Sequence, residues 1–123
     1  MLIVGCGDVG QRIGQRLAQE GRPVECLVSS ESSAEALRGQ GLAALAINLD
    51  EPVAGLPEDS DLIWYLVPPP SSGTKDPRLE RFLLALPPAN RPRRIVYIGT
   101  SGVYGHCHGE WVSESRPLNP QVD

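Results

Sequence analysis

At 123 residues the chain has room for one domain with a modest core. Its charge is mixed, with 11 Lys and Arg against 15 Asp and Glu, and the formal net of -4 argues against a nucleic-acid partner, which would call for a basic stripe. The longest apolar run, Leu62 to Val67, is far too short to span a bilayer, so no membrane partner is expected.

The first element is a short apolar strand, Leu2–Val4, which enters Gly5-Cys6-Gly7-Asp8-Val9-Gly10. No signal peptide is expected before a strand that starts this early. The G-x-G-x-x-G spacing has a physical reason at each position. The first glycine permits the tight turn, the second lets a pyrophosphate approach bare backbone, and the third lets helix and sheet pack closely. Free N–H groups and the positive end of the helix dipole then hold the anion. A glycine-rich turn alone often serves only packing; between a strand and a helix it points to a dinucleotide. No Gly-Lys-Ser/Thr follows, which excludes a kinase-type phosphate loop.

A helix is predicted from about Val9 to Glu20, with Val9, Ile13 and Leu17 on one face and Gly10 and Gly14 beside them. Gly21 and Pro23 end it. Strand two is Val24–Val28. Ser32-x-x-Glu35 reads as a capping box opening a short helix to Arg38, stopped by Gly39 and Gly41. Strand three, Leu42–Ile47, is apolar throughout and expected to be buried on both faces. An irregular crossing follows from Asp50 to Ser60, then strand four at Leu62–Val67, halted by Pro68-Pro69-Pro70. Residues 71–75 form a loop. Asp76 caps the next helix with Pro77 at its first position, and Leu79, Phe82, Leu83 and Leu86 make its apolar stripe. Strand five is Arg94–Ile98, and residues 117–123 read as loop. Strands alternating with helices imply an α/β, Rossmann-type doubly wound parallel sheet of five strands, order 3-2-1-4-5.

In such sheets a ligand sits beyond the carboxyl ends of the strands, near the switch point between strands one and four. The candidate cofactor-binding residues are therefore Gly5, Gly7, Asp8, Val9 and Gly10 at the first turn, Ser29 and Ser30 after strand two, Asn48 and Leu49 after strand three, Val67 and Pro68 after strand four, and Thr100 after strand five. An acidic residue directly after strand two would favour NAD; Ser29-Ser30 stand there instead, with Glu31 just beyond, which leans the expectation toward NADP. Equally, the two serines lead into a helix cap. Asn48 can accept a hydrogen bond from an adenine amino group and Leu49 can cover the ring, or the two form an ordinary strand-end turn. Thr100 is the candidate catalytic hydroxyl, placed to polarise a substrate carbonyl, although Thr-Ser-Gly is also plain turn chemistry. His106-Cys107-His108 with Glu110 lacks the converging ligands of a zinc site, and no metal is expected. The cysteines, Cys6, Cys26 and Cys107, are three and widely spaced, as free thiols of a cytoplasmic protein would be.

Taken together, Gly5-x-Gly7-x-x-Gly10, Asn48-Leu49-Asp50 and Thr100-Ser101-Gly102-Val103-Tyr104-Gly105, followed by Glu110-x-x-x-Glu114-x-x-Pro117, resemble the NAD(P)-dependent epimerase/dehydratase branch of the extended short-chain dehydrogenase/reductase family, and within it the atypical YeeZ-like subgroup. The resemblance covers only the amino-terminal portion of such a protein. It implies that Thr100 is the catalytic hydroxyl and that the cofactor is NAD(P), with an unknown small-molecule substrate. The family's Tyr-x-x-x-Lys is absent, and Lys75 is the only lysine. Asn48 replaces the family's usual Asp. Residues 1–123 are thus expected to be an incomplete NAD(P)-binding domain without a substrate lobe, inactive alone. The alternative is a non-catalytic dinucleotide sensor or scaffold. The sheet edge at strand five would favour association, so an oligomer is possible.

Overall fold

Strand β1, Leu2–Val4, is the middle of the sheet, and its three side chains are all buried. It pairs in parallel with β2 (Glu25–Val28) on one side and β4 (Leu62–Tyr65) on the other. β3 (Ala43–Ala46) and β5 (Arg94–Tyr97) form the two edges, giving the order β3-β2-β1-β4-β5. The computed structural model describes residues 1–71, 73, 75–88 and 91–121. The loop expected over 71–75 and the tail over 117–123 therefore lie partly outside the described residues.

Because side chains alternate across a strand, the sheet divides its apolar residues between two cores. Leu2, Val4, Leu27, Ile63 and Tyr65 meet Phe82 of helix α3, Pro77–Ala85, on one face. Ile3, Cys26, Val28 and Ala44 meet Ala34 and Leu37 of helix α2, Glu31–Gly39, on the other. Helix α1, Asp8–Gln19, packs on this second face through Gly10 and Gly14. Helices on both faces of a parallel sheet make the α/β, Rossmann-like architecture that the alternation of elements implies.

The helix ends follow local chemistry. Gly21 takes φ +67° after α1, and Arg22 N–H donates to the Leu17 carbonyl (2.9 Å) while Gly21 N–H donates to Ala18 (3.0 Å). Gly41, φ +82°, ends α2 the same way, with Leu42 and Gly41 N–H groups on the carbonyls of Leu37 and Arg38. Both are Schellman closures. Asp76 caps α3, its Oδ1 accepting from the Arg78 (3.1 Å) and Leu79 (3.0 Å) N–H groups, with Pro77 in the first turn.

Several local expectations are corrected. On α1, Leu17 is buried and Ile13 packs on the core as expected, but Val9 is 52% exposed, and Gly10 and Gly14 bring bare backbone to the sheet in its place. α2 is capped by Ser30, whose Oγ accepts from Ser33 N–H (3.3 Å), so the helix starts before the Ser32 box. β3 is not covered on both faces, since as an edge strand it leaves Ala43 exposed. In α3, Phe82 is fully buried but Leu83 is 44% exposed, because nine residues cover only a narrow stripe. β5 is the least covered strand, with Ile95 and Tyr97 exposed, as is Ile98 just after it.

Candidate functional site

Gly5 sits at the end of β1 with φ +85°, a conformation that side-chain-bearing residues rarely adopt. Its N–H donates to the Leu27 carbonyl (2.9 Å), tying the turn to β2. A Cβ there would stand 2.8 Å from Val67 Cγ2 and 2.9 Å from Val67 N, so the chain just after β4 closes the space on the other side. Gly10 is similarly enclosed, its hypothetical Cβ lying 3.1 Å from Ile3 Cγ2 and 3.2 Å from the Gly5 carbonyl. Gly7 is different. Nothing lies within 4 Å of a Cβ at Gly7, which faces open space.

Gly7 is also the N-cap of α1, and it offers no side chain to satisfy the helix's first N–H groups. Ser30, Asp76 and Thr100 each place an oxygen over the start of their own helices. At α1 the Gln11 N–H reaches the Gly7 carbonyl (2.8 Å), and the N–H groups of Asp8, Val9 and Gly10 precede the first such bond. A 12-residue helix thus directs its positive end into an uncapped turn.

The turn forms one end of a cleft of about 590 Å³ at the carboxyl ends of β1 to β4, a volume in the range of small-molecule sites. Gly5, Cys6, Gly7 and Gln11 line it at the turn. Ser29, Ser33 and Gln40 supply the polar wall after β2 and along α2. Asn48, Leu49, Asp50 and Arg78 line the far end, and Leu66, Val67 and Pro68 the wall after β4.

The far end is braced by α3. Arg78 holds Asp50 with paired hydrogen bonds, and Arg81 Nη1 donates to the Leu49 carbonyl (3.0 Å). The Arg78 guanidinium keeps the Asp50 carboxyl below the usual aspartate range, so it is ionised and its charge is met. Asn48 Oδ1 accepts from the Asp50 N–H (3.0 Å), which shapes the turn itself. Leu49 is in the cleft lining yet buried in the core beside Phe82.

Of the residues singled out in the sequence, Gly5, Gly7, Ser29, Asn48, Leu49, Val67 and Pro68 converge on this cleft. Five others are not in its lining. Asp8 turns outward to pair with Arg12 (3.1 Å), Val9 faces solvent, and Gly10 is pressed against Ile3 beneath the turn. Ser30 is occupied as the cap of α2. Thr100 lies exposed beyond β5, where its Oγ1 accepts from Gly102 N–H (3.1 Å) and opens a 3-10 turn at Ser101–Tyr104. Gln11, Ser33, Gln40 and Arg78 are among the polar lining residues that the sequence did not single out.

Residues 1–58 match the family model for ketopantoate reductase PanE/ApbA. The match takes in the glycine turn, α2 and the Asn48-Leu49-Asp50 loop, and its range includes all of the cleft lining except Leu66, Val67, Pro68 and Arg78. No curated protein matches the chain in sequence. Among solved structures, a functionally unknown conserved protein from Silicibacter pomeroyi superposes with a TM-score of 0.76 at 25% identity. The alignment covers 99% of this chain and 42% of that one, so this chain spans less than half of its structural relative. The specific likeness to epimerases, dehydratases and the YeeZ-like subgroup finds no counterpart in these matches.

No helix among the described residues is long and apolar enough to cross a membrane. Among the same residues no group of three or more His, Cys, Asp or Glu converges as a metal site, and Cys6, Cys26 and Cys107 are free thiols.

Proposed function

We propose that this chain is the NAD(P)-binding part of an oxidoreductase. The observation that carries the proposal is the difference among three glycines: Gly5 and Gly10 are required by packing, whereas Gly7 leaves an uncapped helix start open to the cleft. A pyrophosphate is the group that such a turn accommodates, with main-chain N–H groups as donors. The ketopantoate reductase match over the same residues supports a reductase's dinucleotide rather than another phosphate ligand.

In this reading the adenosine half lies along Ser29, Ser33 and Asn48, and the nicotinamide half passes Val67 and Pro68 toward β5. The bound cofactor supplies hydride transfer; the chain's own residues bind and orient it. Preference for NADP over NAD rests on the wall after β2, where Ser29, Ser33 and Gln40 are neutral and Glu31 is turned to Arg38 (2.6 Å) instead of the cleft. Thermal-shift titration with NADPH and NADH tests both points. A larger shift with NADPH is expected; no shift with either dinucleotide would refute the function.

The short-chain dehydrogenase likeness of Thr100-Ser101-Gly102-Val103-Tyr104-Gly105 supports a finer proposal, in which Thr100 faces a small-molecule substrate held by parts of a longer protein. With Oγ1 accepting from Gly102 N–H, the Thr100 hydroxyl retains its own proton to donate. A second reading, a non-catalytic dinucleotide sensor, is favoured by the exposure of Thr100 outside the cleft. A partner whose affinity differs between NADP+ and NADPH would support the sensor.

A further inference from the structure

Two thiols lie under the glycine turn, and the proposed cofactor role uses neither. Cys6 separates Gly5 from Gly7, and Cys26 is the second residue of β2. Both belong to the core on the α1 and α2 face, beside Ile3 and Val28. Their sulfurs are 3.0 Å apart and share a hydrogen bond. A disulfide bond measures about 2.04 Å, so closing one requires the sulfurs to approach by only about 1 Å.

The two positions are unequal in access. Cys26 is fully buried, whereas Cys6 is 4% exposed and lines the cleft. The route from solvent to this pair therefore runs through the cleft and reaches Cys6 first. The shared hydrogen bond lowers the Cys6 thiol from its ordinary range and holds the Cys26 thiol above it. Reached first through the cleft, Cys6 is the sulfur that meets an oxidant, and Cys26 is placed as its resolving partner. Cys107, by contrast, sits away from the cleft lining with its Sγ near the Tyr104 and Gly105 carbonyls.

We propose that Cys6 and Cys26 are a peroxide-reactive dithiol that closes to a disulfide beneath the glycine turn, and that the ligand in the cleft controls its exposure. The Cys6 thiolate attacks one oxygen of hydrogen peroxide, breaking the O–O bond; hydroxide leaves and takes up a proton to become water, and Cys6 becomes a sulfenic acid. The Cys26 sulfur then attacks the Cys6 sulfur, the S–S bond forms, and the departing hydroxyl takes the Cys26 proton as a second water. Two electrons pass from the thiols to peroxide. The pair itself stands on geometry alone; its control by occupancy rests on the dinucleotide reading.

The experiment treats the 123-residue chain with hydrogen peroxide, with and without NADP+, and maps peptides by mass spectrometry without reduction. A peptide pair joined through Cys6 and Cys26 is expected, lost in both Cys6→Ala and Cys26→Ala, with dimedone trapping Cys6 sulfenic acid in the latter. Oxidation of Cys107 with no Cys6–Cys26 link would overturn the pair. At a hundredfold excess over its dissociation constant, NADP+ should slow closure about 100-fold if only the empty cleft reacts. Where thermal shift shows NADP+ bound and the rate is unchanged, control by occupancy is overturned. Absence of any NADP+ shift overturns the dinucleotide reading and control by occupancy with it, while the nucleotide-free arm still decides the disulfide.

Discussion

Arg78 and Asp50, 28 residues apart, are joined by two parallel hydrogen bonds, Nε to Oδ1 at 2.7 Å and Nη2 to Oδ2 at 2.9 Å. The pair fixes α3 to the loop after β3, where the adenine end of a dinucleotide would rest. Asp50→Asn and Arg78→Ala are each expected to weaken NADPH binding about tenfold by isothermal titration, the scale of a lost charge-assisted hydrogen bond. The sign with pH follows from the lowered Asp50 value. Its contribution to stability is full above the ordinary aspartate value of 3.8 and is lost as pH falls through the lower folded value. The Tm difference between the parent and Asp50→Asn should therefore shrink in acid; a constant difference would remove the ion pair as its cause.

The two ends of the glycine turn should respond oppositely to substitution. Gly7→Ser gives α1 the capping hydroxyl it lacks, so stability should hold or rise by a few tenths of a kcal/mol, about the difference between these N-caps. The same side chain would fill the proposed phosphate space, and NADPH binding should fall at least about tenfold. Gly5→Ala should lose about 2 kcal/mol or more in urea unfolding, from its positive φ and the Val67 backbone 2.9 Å from the new methyl. Full NADPH affinity in Gly7→Ser would place the phosphates elsewhere.

Gly10 and Gly14 share a helix face but differ in room. A methyl at Gly14 meets Leu42 and Ile3 at 3.4 to 3.5 Å, ordinary contact, and Gly14→Ala should stabilise by about 0.5–1 kcal/mol through helix propensity. A methyl at Gly10 meets the Gly5 carbonyl at 3.2 Å, and Gly10→Ala should destabilise instead. Equal effects in chemical denaturation would contradict the packing of α1.

Tyr65 is fully buried between Phe82 (centroids 5.5 Å apart) and Tyr97 (6.0 Å), and its hydroxyl has no hydrogen-bond partner among the described residues. Burial raises its ionisation well above the ordinary tyrosine range. Tyr65→Phe keeps the rings and removes the stranded hydroxyl, so stability should rise by about 1 kcal/mol in urea denaturation. A loss of that size would reveal a partner for the hydroxyl.

Thr100 tests the finer proposal. Thr100→Val removes the cap on the 3-10 turn, yet NADPH affinity should stay within about twofold, because Thr100 is outside the cleft lining. No turnover of alcohols or sugar nucleotides is expected from the 123-residue chain, which lacks a Tyr-x-x-x-Lys acid/base pair. Turnover monitored as NADPH absorbance would exclude the binding-only view of this chain.

The sheet order and the glycine turn were legible because both are written in local spacing: apolar runs alternating with helical repeats, and three glycines between a strand and a helix. On α1, Leu17 and the two glycines lie toward the sheet as their spacing implies, but Val9 turns to solvent because periodicity counts apolar side chains and cannot weigh Gly10 and Gly14, which have none. The cap of α2 slipped by two residues because Ser30 and Ser32 both stand three residues before a polar partner. Arg78 could not be linked to Asp50 from sequence, since the contact exists only after the crossing from β3 to α3 brings them together. The cysteine contact had a weak signal of its own, as Cys26 pairs with Ile3 across β1 and β2, three residues before Cys6.

The unequal demands on the three glycines give this turn a history that substitution can record. Selection for folding alone retains Gly5 and Gly10, whatever the cleft contains. Gly7 has no neighbour to offend, and a polar residue there would strengthen the helix. In a lineage that had abandoned its nucleotide, drift would therefore replace Gly7 first and leave its neighbours in place. Loss of Gly7 beside a retained Gly5 and Gly10 would be the trace of an emptied cleft.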